Sequence, residues 1–320
     1  MASEPTRIAL IGAGRMGQVH LGALRQSAQI ELAGVVEPVA RTRAELAAHG
    51  IPTYATVDDL LERDPPEGVL IAAPSDQHPA LVARFAAAGI AMLCEKPLGI
   101  RPEQSLEAGR SAAEAGVLLQ VGYWRRFVPE LRALRERVRA GELGEISQLS
   151  CMQWDEQPPS EQFRAHSGGI AVDMGVHEFD QTRWLLGQEF EWIAAARAGS
   201  SSEPRDPADP DCATLLAQLS GGASATISLG RRFPHADSCW LEVWGTEGYE
   251  RLPFMWDTAG DEVFRQSMKR QAEAFARAVR GGEREGADGA DAFAALSAAE
   301  LAAASLASGS QVHARVAVQG

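Results

Sequence analysis

The hydrophobic pattern changes character near residue 122. Before that point, short apolar runs alternate with segments of helical composition. Residues 7–11, 30–36, 69–72, 91–94 and 117–121 read as strands, and 16–24, 40–49, 79–88 and 103–115 as helices between them. Apolar on both sides, these strands suit a parallel sheet covered by helices on each face. Residues 128–139 then form an amphipathic helix with Leu131, Leu134 and Val138 on one side. Strand-like runs follow at 146–153, 191–198, 213–219, 223–229 and 240–244. In the fourth of these, Ala225, Ile227 and Leu229 alternate with Ser224, Thr226 and Ser228, as in a sheet with one wet face. Residues 200–211, with Pro204, Pro207 and Pro210, read as an irregular loop. Residues 263–279 and 290–306 read as helices whose many alanines reflect helix propensity. The expected architecture is α/β: a parallel-sheet domain over 1–122, then an α+β domain over 123–320 with an open, mostly antiparallel sheet.

Composition narrows the possibilities. A chain of 320 residues exceeds the size at which one core stops growing, which independently favours two domains. A formal net charge of −13 argues against nucleic acid and against an anionic membrane surface as partners. Residues 1–7 lack the basic region and apolar core of a secretion signal, and no uninterrupted apolar stretch is long enough to span a bilayer. Cys94, Cys151, Cys212 and Cys239 are scattered, as free thiols in a reducing cytoplasm would be, so a cytoplasmic protein is expected. His177-Glu178 opens like a zinc-protease helix, but Gln181 stands where the second histidine belongs, and no metal site is expected.

The chemistry-bearing residues begin at Gly12-Ala-Gly14-Arg15-Met16-Gly17, a GxGxxG between an apolar strand and a helix. Gly12 permits the tight turn, Gly14 lets backbone approach a pyrophosphate, and Gly17 allows close packing of helix on strand. The N–H groups at the helix start then face the phosphates. Glu37 lies twenty residues beyond Gly17, at the end of the second strand, where a carboxylate accepts hydrogen bonds from an adenosine ribose. Such a carboxylate repels a 2′-phosphate, so NAD is expected over NADP, with Arg41 and Arg43 nearby working against that preference. A simple glycine turn with a solvated Glu is the alternative. Two further strand ends, Ala73-Pro74-Ser75 followed by His78, and Glu95-Lys96-Pro97, face the same crevice, where open α/β sheets bind ligands. Taken singly, Lys96 reads equally as a surface lysine and His78 as a capping or core histidine.

Taken with Gln120-Val-Gly-Tyr-Trp-Arg-Arg-Phe127 and Gly168-Gly-Ile-Ala-Val-Asp173-Met-Gly-Val-His177, these motifs resemble the glucose-fructose oxidoreductase / inositol dehydrogenase family over nearly the whole chain. The resemblance implies a Rossmann domain whose cofactor contacts include Gly12, Gly14, Arg15, Met16, Gly17, Glu37, Ala73, Pro74, Ser75, His78, Glu95 and Lys96. It implies that Lys96 bonds the reacting hydroxyl beside the nicotinamide, and that Asp173 and His177 share one helix face, four residues apart. His177 would act as general base, since an unperturbed imidazole titrates at about 6.5, and Asp173 would orient the substrate. Trp124, Arg125, Asp155, His235 and Asp237 fall in segments that contact substrate in the family. The implied reaction is oxidation of a secondary hydroxyl on an inositol or a pyranose. A sugar 3-dehydrogenase, a keto-sugar reductase running in reverse, and a non-catalytic NAD(P)-dependent sugar sensor are the rivals. A dimer or tetramer through the C-terminal sheet is expected.

Overall fold

A computed structural model describes residues 4–198, 209–256 and 259–314. It separates into two compact units. One runs through Gly99, Glu103–Phe127 and Arg265–Ala292, and the other comprises Ile100–Pro102, Val128–Phe264 and the chain from Phe293.

The first unit is built on β1 (Thr6–Ile11), β2 (Ile30–Val36), β3 (Thr53–Tyr54), β4 (Gly68–Ile71), β5 (Ala91–Cys94) and β6 (Leu119–Val121). All pair in parallel, in the order β3-β2-β1-β4-β5-β6. The order reverses beside β1, which opens a crevice at the carboxyl ends of β1 and β4. Helices α1 (Arg15–Arg25), α2 (Ala40–Ala48), α3 (Val57–Arg63), α4 (His78–Ala87) and α5 (Pro102–Glu114) make the crossovers. Two elements lay outside the sequence expectation. β3 is only two residues long, too short for an alternation to show, and α3 is announced mainly by its Thr56–Asp59 capping box.

The domain boundary also differs from a single cut at residue 122. The chain leaves this unit just before α6 (Pro129–Arg139), and it returns within α10 (Gly260–Val279). Ala272, Phe275 and Ala276 of α10 join Ile8, Leu10, Val35 and Leu70 in one core, with the Phe275 ring against Gly68. Burying such a ring contributes about 1.5–3 kcal/mol. A helical stripe in the sequence shows that a face is buried, not which sheet buries it.

The second unit is a seven-stranded sheet ordered β12-β11-β7-β10-β9-β8-β13. Its strands are β7 (Ile146–Trp154), β8 (Phe190–Ala198), β9 (Cys212–Leu219), β10 (Ser224–Gly230), β11 (Ser238–Gly245), β12 (Tyr249–Met255) and β13 (Val312–His313). Only β7 and β10 run parallel; the other neighbours are antiparallel. Ala225, Ile227 and Leu229 are buried on one face while Ser224, Thr226 and Ser228 stay partly open on the other, matching the alternation. The helices α7 (Glu161–Arg164), α8 (Ile170–Asp173) and α9 (Val176–Leu186) lie between β7 and β8 in the chain, and α9 packs on β7 and α6. α11 (Gly289–Ser308) is long and apolar enough to cross a membrane, contrary to expectation, yet Ala295, Leu296, Ala299, Ala302 and Leu306 are buried. Of the expected loop at 200–211, only Asp209, Pro210 and Asp211 fall within the described residues.

Candidate active site

The glycine loop is shaped by contacts that exclude any side chain. Gly12 has φ +94°, and a Cβ there would lie 2.8 Å from the Ala72 carbonyl oxygen. A Cβ on Gly17 would stand 2.2 Å from the Gly12 carbonyl oxygen. Gly14 is different: no protein atom lies within 4 Å of where its Cβ would be. That open space leaves room for a ligand to approach the backbone. Gly14 is also the N-cap of α1 and supplies no capping side chain, and the first turn holds no acidic residue. The first N–H groups and the positive end of the helix dipole are thus left for phosphate. Arg15 is exposed at this turn and Met16 half-buried.

Glu37, buried at the end of β2, closes the other side. Its Oε2 accepts from the Ala13 N–H and its Oε1 from the Val39 N–H, each at 2.9 Å. Arg43 donates to the Glu37 carbonyl oxygen at 2.7 Å, and Arg41 pairs with Glu45 at 2.9 Å. Both arginines therefore have partners other than the carboxylate. A dinucleotide fits this cradle, with Gly12–Gly17 on its pyrophosphate and Glu37 on its adenosine ribose.

At the next strand ends the structure separates ligands from braces. Pro74 is exposed and Ala73 and Ser75 are half-buried, in a turn that can meet a ligand. His78 is buried, with Nδ1 2.7 Å from the Pro97 carbonyl oxygen and Nε2 2.9 Å from that of Ala73. Burial outweighs the two carbonyls and lowers its pKa, so the ring is neutral and donates to one of them at a time. His78 braces two turns; it is not placed as a cofactor ligand. Glu95 is likewise turned inward: Oε1 lies 2.6 Å from His20 Nε2, and Oε2 accepts from the Lys96 N–H at 3.0 Å. Lys96 itself is half-buried. A short turn, Trp124–Phe127, completes this unit's candidates, with the buried Arg125 guanidinium 5.8 Å from the centre of the Trp124 ring.

In the second unit, Asp173 and His177 do not share one helix. Asp173 ends α8 and His177 is the second residue of α9, with Met174 and Gly175 between the two helices. A Cβ at Gly175 would lie 2.6 Å from the Ala171 carbonyl oxygen, so the chain turns here where only glycine fits. Both side chains are buried. Asp173 Oδ2 accepts from the Ser167 hydroxyl at 3.0 Å and from Arg231 Nη2 at 2.8 Å. The same Nη2 donates to Asp209 Oδ1 at 2.8 Å. Arg164 grips Asp209 through Oδ2 and its carbonyl oxygen, each at 2.6 Å, and Asp211 Oδ1 at 2.7 Å.

Three further residues were expected to contact substrate. Asp155 accepts from the Gln153 amide at 3.1 Å, and Asp237, exposed, accepts from the Glu156 N–H at 2.7 Å. His235 is exposed with its ring 5.3 Å from that of Phe233. Phe233 helps line an apolar groove of about 230 Å³ with Met152, Trp154, Trp240 and Trp256, on the sheet face that carries Ser228. His235 thus stands beside the residues that line this groove. His20, Arg164, Ser167 and Arg231 were not anticipated; Arg231 directly precedes a stretch that was.

Comparison with known proteins bears on this arrangement. Residues 6–123 match the model described as "Oxidoreductase family, NAD-binding Rossmann fold", and 131–250 match "GFO/IDH/MocA C-terminal domain". The rhizopine catabolism protein MocA of Rhizobium meliloti is 49% identical over 92% of this chain and 93% of its own length.

The chain belongs to the GFO/IDH/MocA family.

An inositol 2-dehydrogenase of Rhizobium meliloti (strain 1021) in this family is 30% identical over 96% of the chain and 98% of its own length. The crystal structure of a myo-inositol dehydrogenase from Corynebacterium glutamicum superposes with a TM-score of 0.86 at 26% identity, covering 98% of this chain and all of that one. As a GFO/IDH/MocA protein the chain is an NAD-binding oxidoreductase with dehydrogenase activity on CH–OH groups, and its Rossmann and mixed-sheet units are those of the family.

Proposed function

We propose that this protein oxidises a secondary hydroxyl of a cyclitol, an inositol first and a pyranose second, with NAD as hydride acceptor. The observation that carries the substrate class is the 30% identity to an inositol 2-dehydrogenase across 96% of the chain. The chemistry expected of each residue follows from its type and place. His177 takes the hydroxyl proton as general base. Lys96, at the end of β5, donates a hydrogen bond to the reacting oxygen. Asp173, bonded to Arg231 and Ser167, orients the ring. NAD, when bound at Gly12–Gly17 and Glu37, accepts hydride from the carbinol carbon.

Supporting the ring substrate is the mixture of acids, bases and amides: each hydroxyl both donates and accepts, and buried polar groups need such partners. A carboxylate substrate would meet Asp173, while an apolar alcohol would leave these groups unsatisfied. The 49% identity to a rhizopine catabolism protein favours a second reading, a dehydrogenase acting in rhizopine catabolism. A further part of the proposal is that a second copy covers the open sheet face, giving a dimer or tetramer in the cytoplasm. The aromatic groove and exposed Leu216 and Tyr249 support the oligomer, and the free cysteines the compartment.

The test is turnover, followed by nicotinamide absorbance, across inositols, rhizopine, aldopyranoses, simple hydroxy acids and aliphatic alcohols. The highest kcat/KM is expected for an inositol. A hydroxy acid surpassing every polyol would overturn the substrate class. Absence of turnover with bound NAD would favour a sensor.

A further inference from the structure

Arg231 is the most deeply buried arginine or lysine among the described residues, at 1% exposure, and belongs to none of the family motifs on which the reading above rests. It lies just past the end of β10, where its N–H donates to the Asp211 carbonyl oxygen at 2.9 Å. Its side chain runs to two carboxylates from two distant parts of the chain. A single nitrogen, Nη2, spends one hydrogen on Asp173 Oδ2 and the other on Asp209 Oδ1, both at 2.8 Å. Asp209 is in turn held by two bonds from Arg164 at the end of α7, whose third bond goes to Asp211. Two buried guanidinium groups and three carboxylates thus form one network, and Asp173 is its only member proposed to act on substrate.

Such a network is costly to bury and easily replaced by apolar packing where stability alone is at stake. Its geometry has a further consequence. Asp173 sits at the end of a four-residue helix followed by a glycine turn, so its own backbone offers little constraint. The carboxylate oxygen that Arg231 and Ser167 hold sets the direction of the other oxygen, and a misplacement of about 1 Å can cost about 10²-fold in rate. We infer that Arg231 is the positioning residue of the substrate unit, acting on the reaction only through Asp173, with Asp209 and Arg164 fixing Arg231 in turn. The inference rests on the reading that Asp173 handles the substrate.

The variants separate charge from position. In Arg231→Lys the ammonium nitrogen falls about one C–N bond short of Nη2, roughly 1.3 Å, so the charge stays while the bonds to both carboxylates are lost. In Arg231→Gln the charge is lost as well. Steady-state kinetics with an inositol and NAD are measured for Arg231→Lys, Arg231→Gln, Asp173→Asn and the Arg231→Lys/Asp173→Asn double variant, with thermal unfolding beside each.

The expected result is a polyol kcat/KM lowered about 10-fold in Arg231→Lys and about 10²-fold in Arg231→Gln, with KM for NAD within about 2-fold of wild type. The double variant is expected to be no worse than Asp173→Asn alone, because a residue acting through Asp173 has nothing left to act on. Arg231→Lys is the decisive variant if Arg231→Gln does not fold. Wild-type kcat/KM in folded Arg231→Lys, with Asp173→Asn crippled, overturns the inference alone. Losses that multiply in the double variant do the same. An Asp173→Asn enzyme of wild-type activity overturns the role of Asp173, and the inference with it.

Discussion

Glu95 and His20 meet at 2.6 Å in the interior of the Rossmann unit, both buried, one closing β5 and the other on α1. Lys96, the residue proposed to touch the reacting hydroxyl, follows Glu95 directly, and its own N–H is bound to the second oxygen of the same carboxylate. Helix α1, which follows the glycine loop, and the strand end that presents the lysine are therefore tied by one buried hydrogen-bonded pair. Burial pushes the Glu95 carboxyl upward. The hydrogen bond from His20 and the charges of His20 and Lys96 more than offset it, leaving its pKa below the ordinary carboxylate value.

That direction fixes a pH dependence. A carboxyl whose folded pKa is lowered contributes stability that is full above the unfolded value, about 4.3, and lost as pH falls through the folded one. Glu95→Gln should lower stability at neutral pH by about 3–5 kcal/mol, the cost of breaking a buried pair. Below about pH 4 it should flatten the acid dependence that the wild type shows. Urea unfolding across a pH series measures both, and an acid slope identical to wild type would remove Glu95 from this role.

Glu37 holds the glycine loop and is proposed to face the ribose, so its loss should hurt NAD more than NADP. Glu37→Ala frees the Ala13 and Val39 N–H groups and removes the repulsion toward a 2′-phosphate. The kcat/KM preference for NAD is expected to narrow roughly 10- to 100-fold, the worth of one or two charged hydrogen bonds. Kinetics with both cofactors check it; an unchanged ratio would place the discrimination elsewhere.

Lys96→Ala and His177→Ala should each lower kcat about 10²- to 10⁴-fold while the protein still unfolds cooperatively. Oxidation should rise with pH in the wild type, because the base must be deprotonated to accept the hydroxyl proton, and this rise should vanish in His177→Ala. Single-turnover rates over a pH range, with circular dichroism on each variant, decide the matter. A folded variant with near-normal kcat would free its residue from the mechanism.

Leu216 on β9 is exposed on the open sheet face, opposite the row buried by Ala225 and Ile227. If a second copy covers that face, light scattering should give a multiple of the chain mass, and Leu216→Glu should shift it toward the single chain. Wild-type protein that stays monomeric at micromolar concentration would refute the oligomer.

Much of this protein is legible without its structure because the signals are local. Strand alternation in Ser224–Gly230, the glycine spacing at Gly12–Gly17 and the twenty-residue step to Glu37 each express backbone geometry within one element or one crossover. The strands, the cofactor cradle and the family could all be read from them. What tertiary structure alone decided are pairings between residues far apart in the chain. His20 and Glu95 are 75 positions apart, Asp173 and Arg231 58, and Phe275 of α10 packs against Gly68 of β4. No periodicity encodes such a partner, since a helix face or a buried charge records only that something must meet it. The helix break at Met174–Gly175 and the placing of His235 beside Phe233 follow the same logic. Both depend on where the neighbouring chain runs, which is decided by the packing of the core and not by the residues beside them.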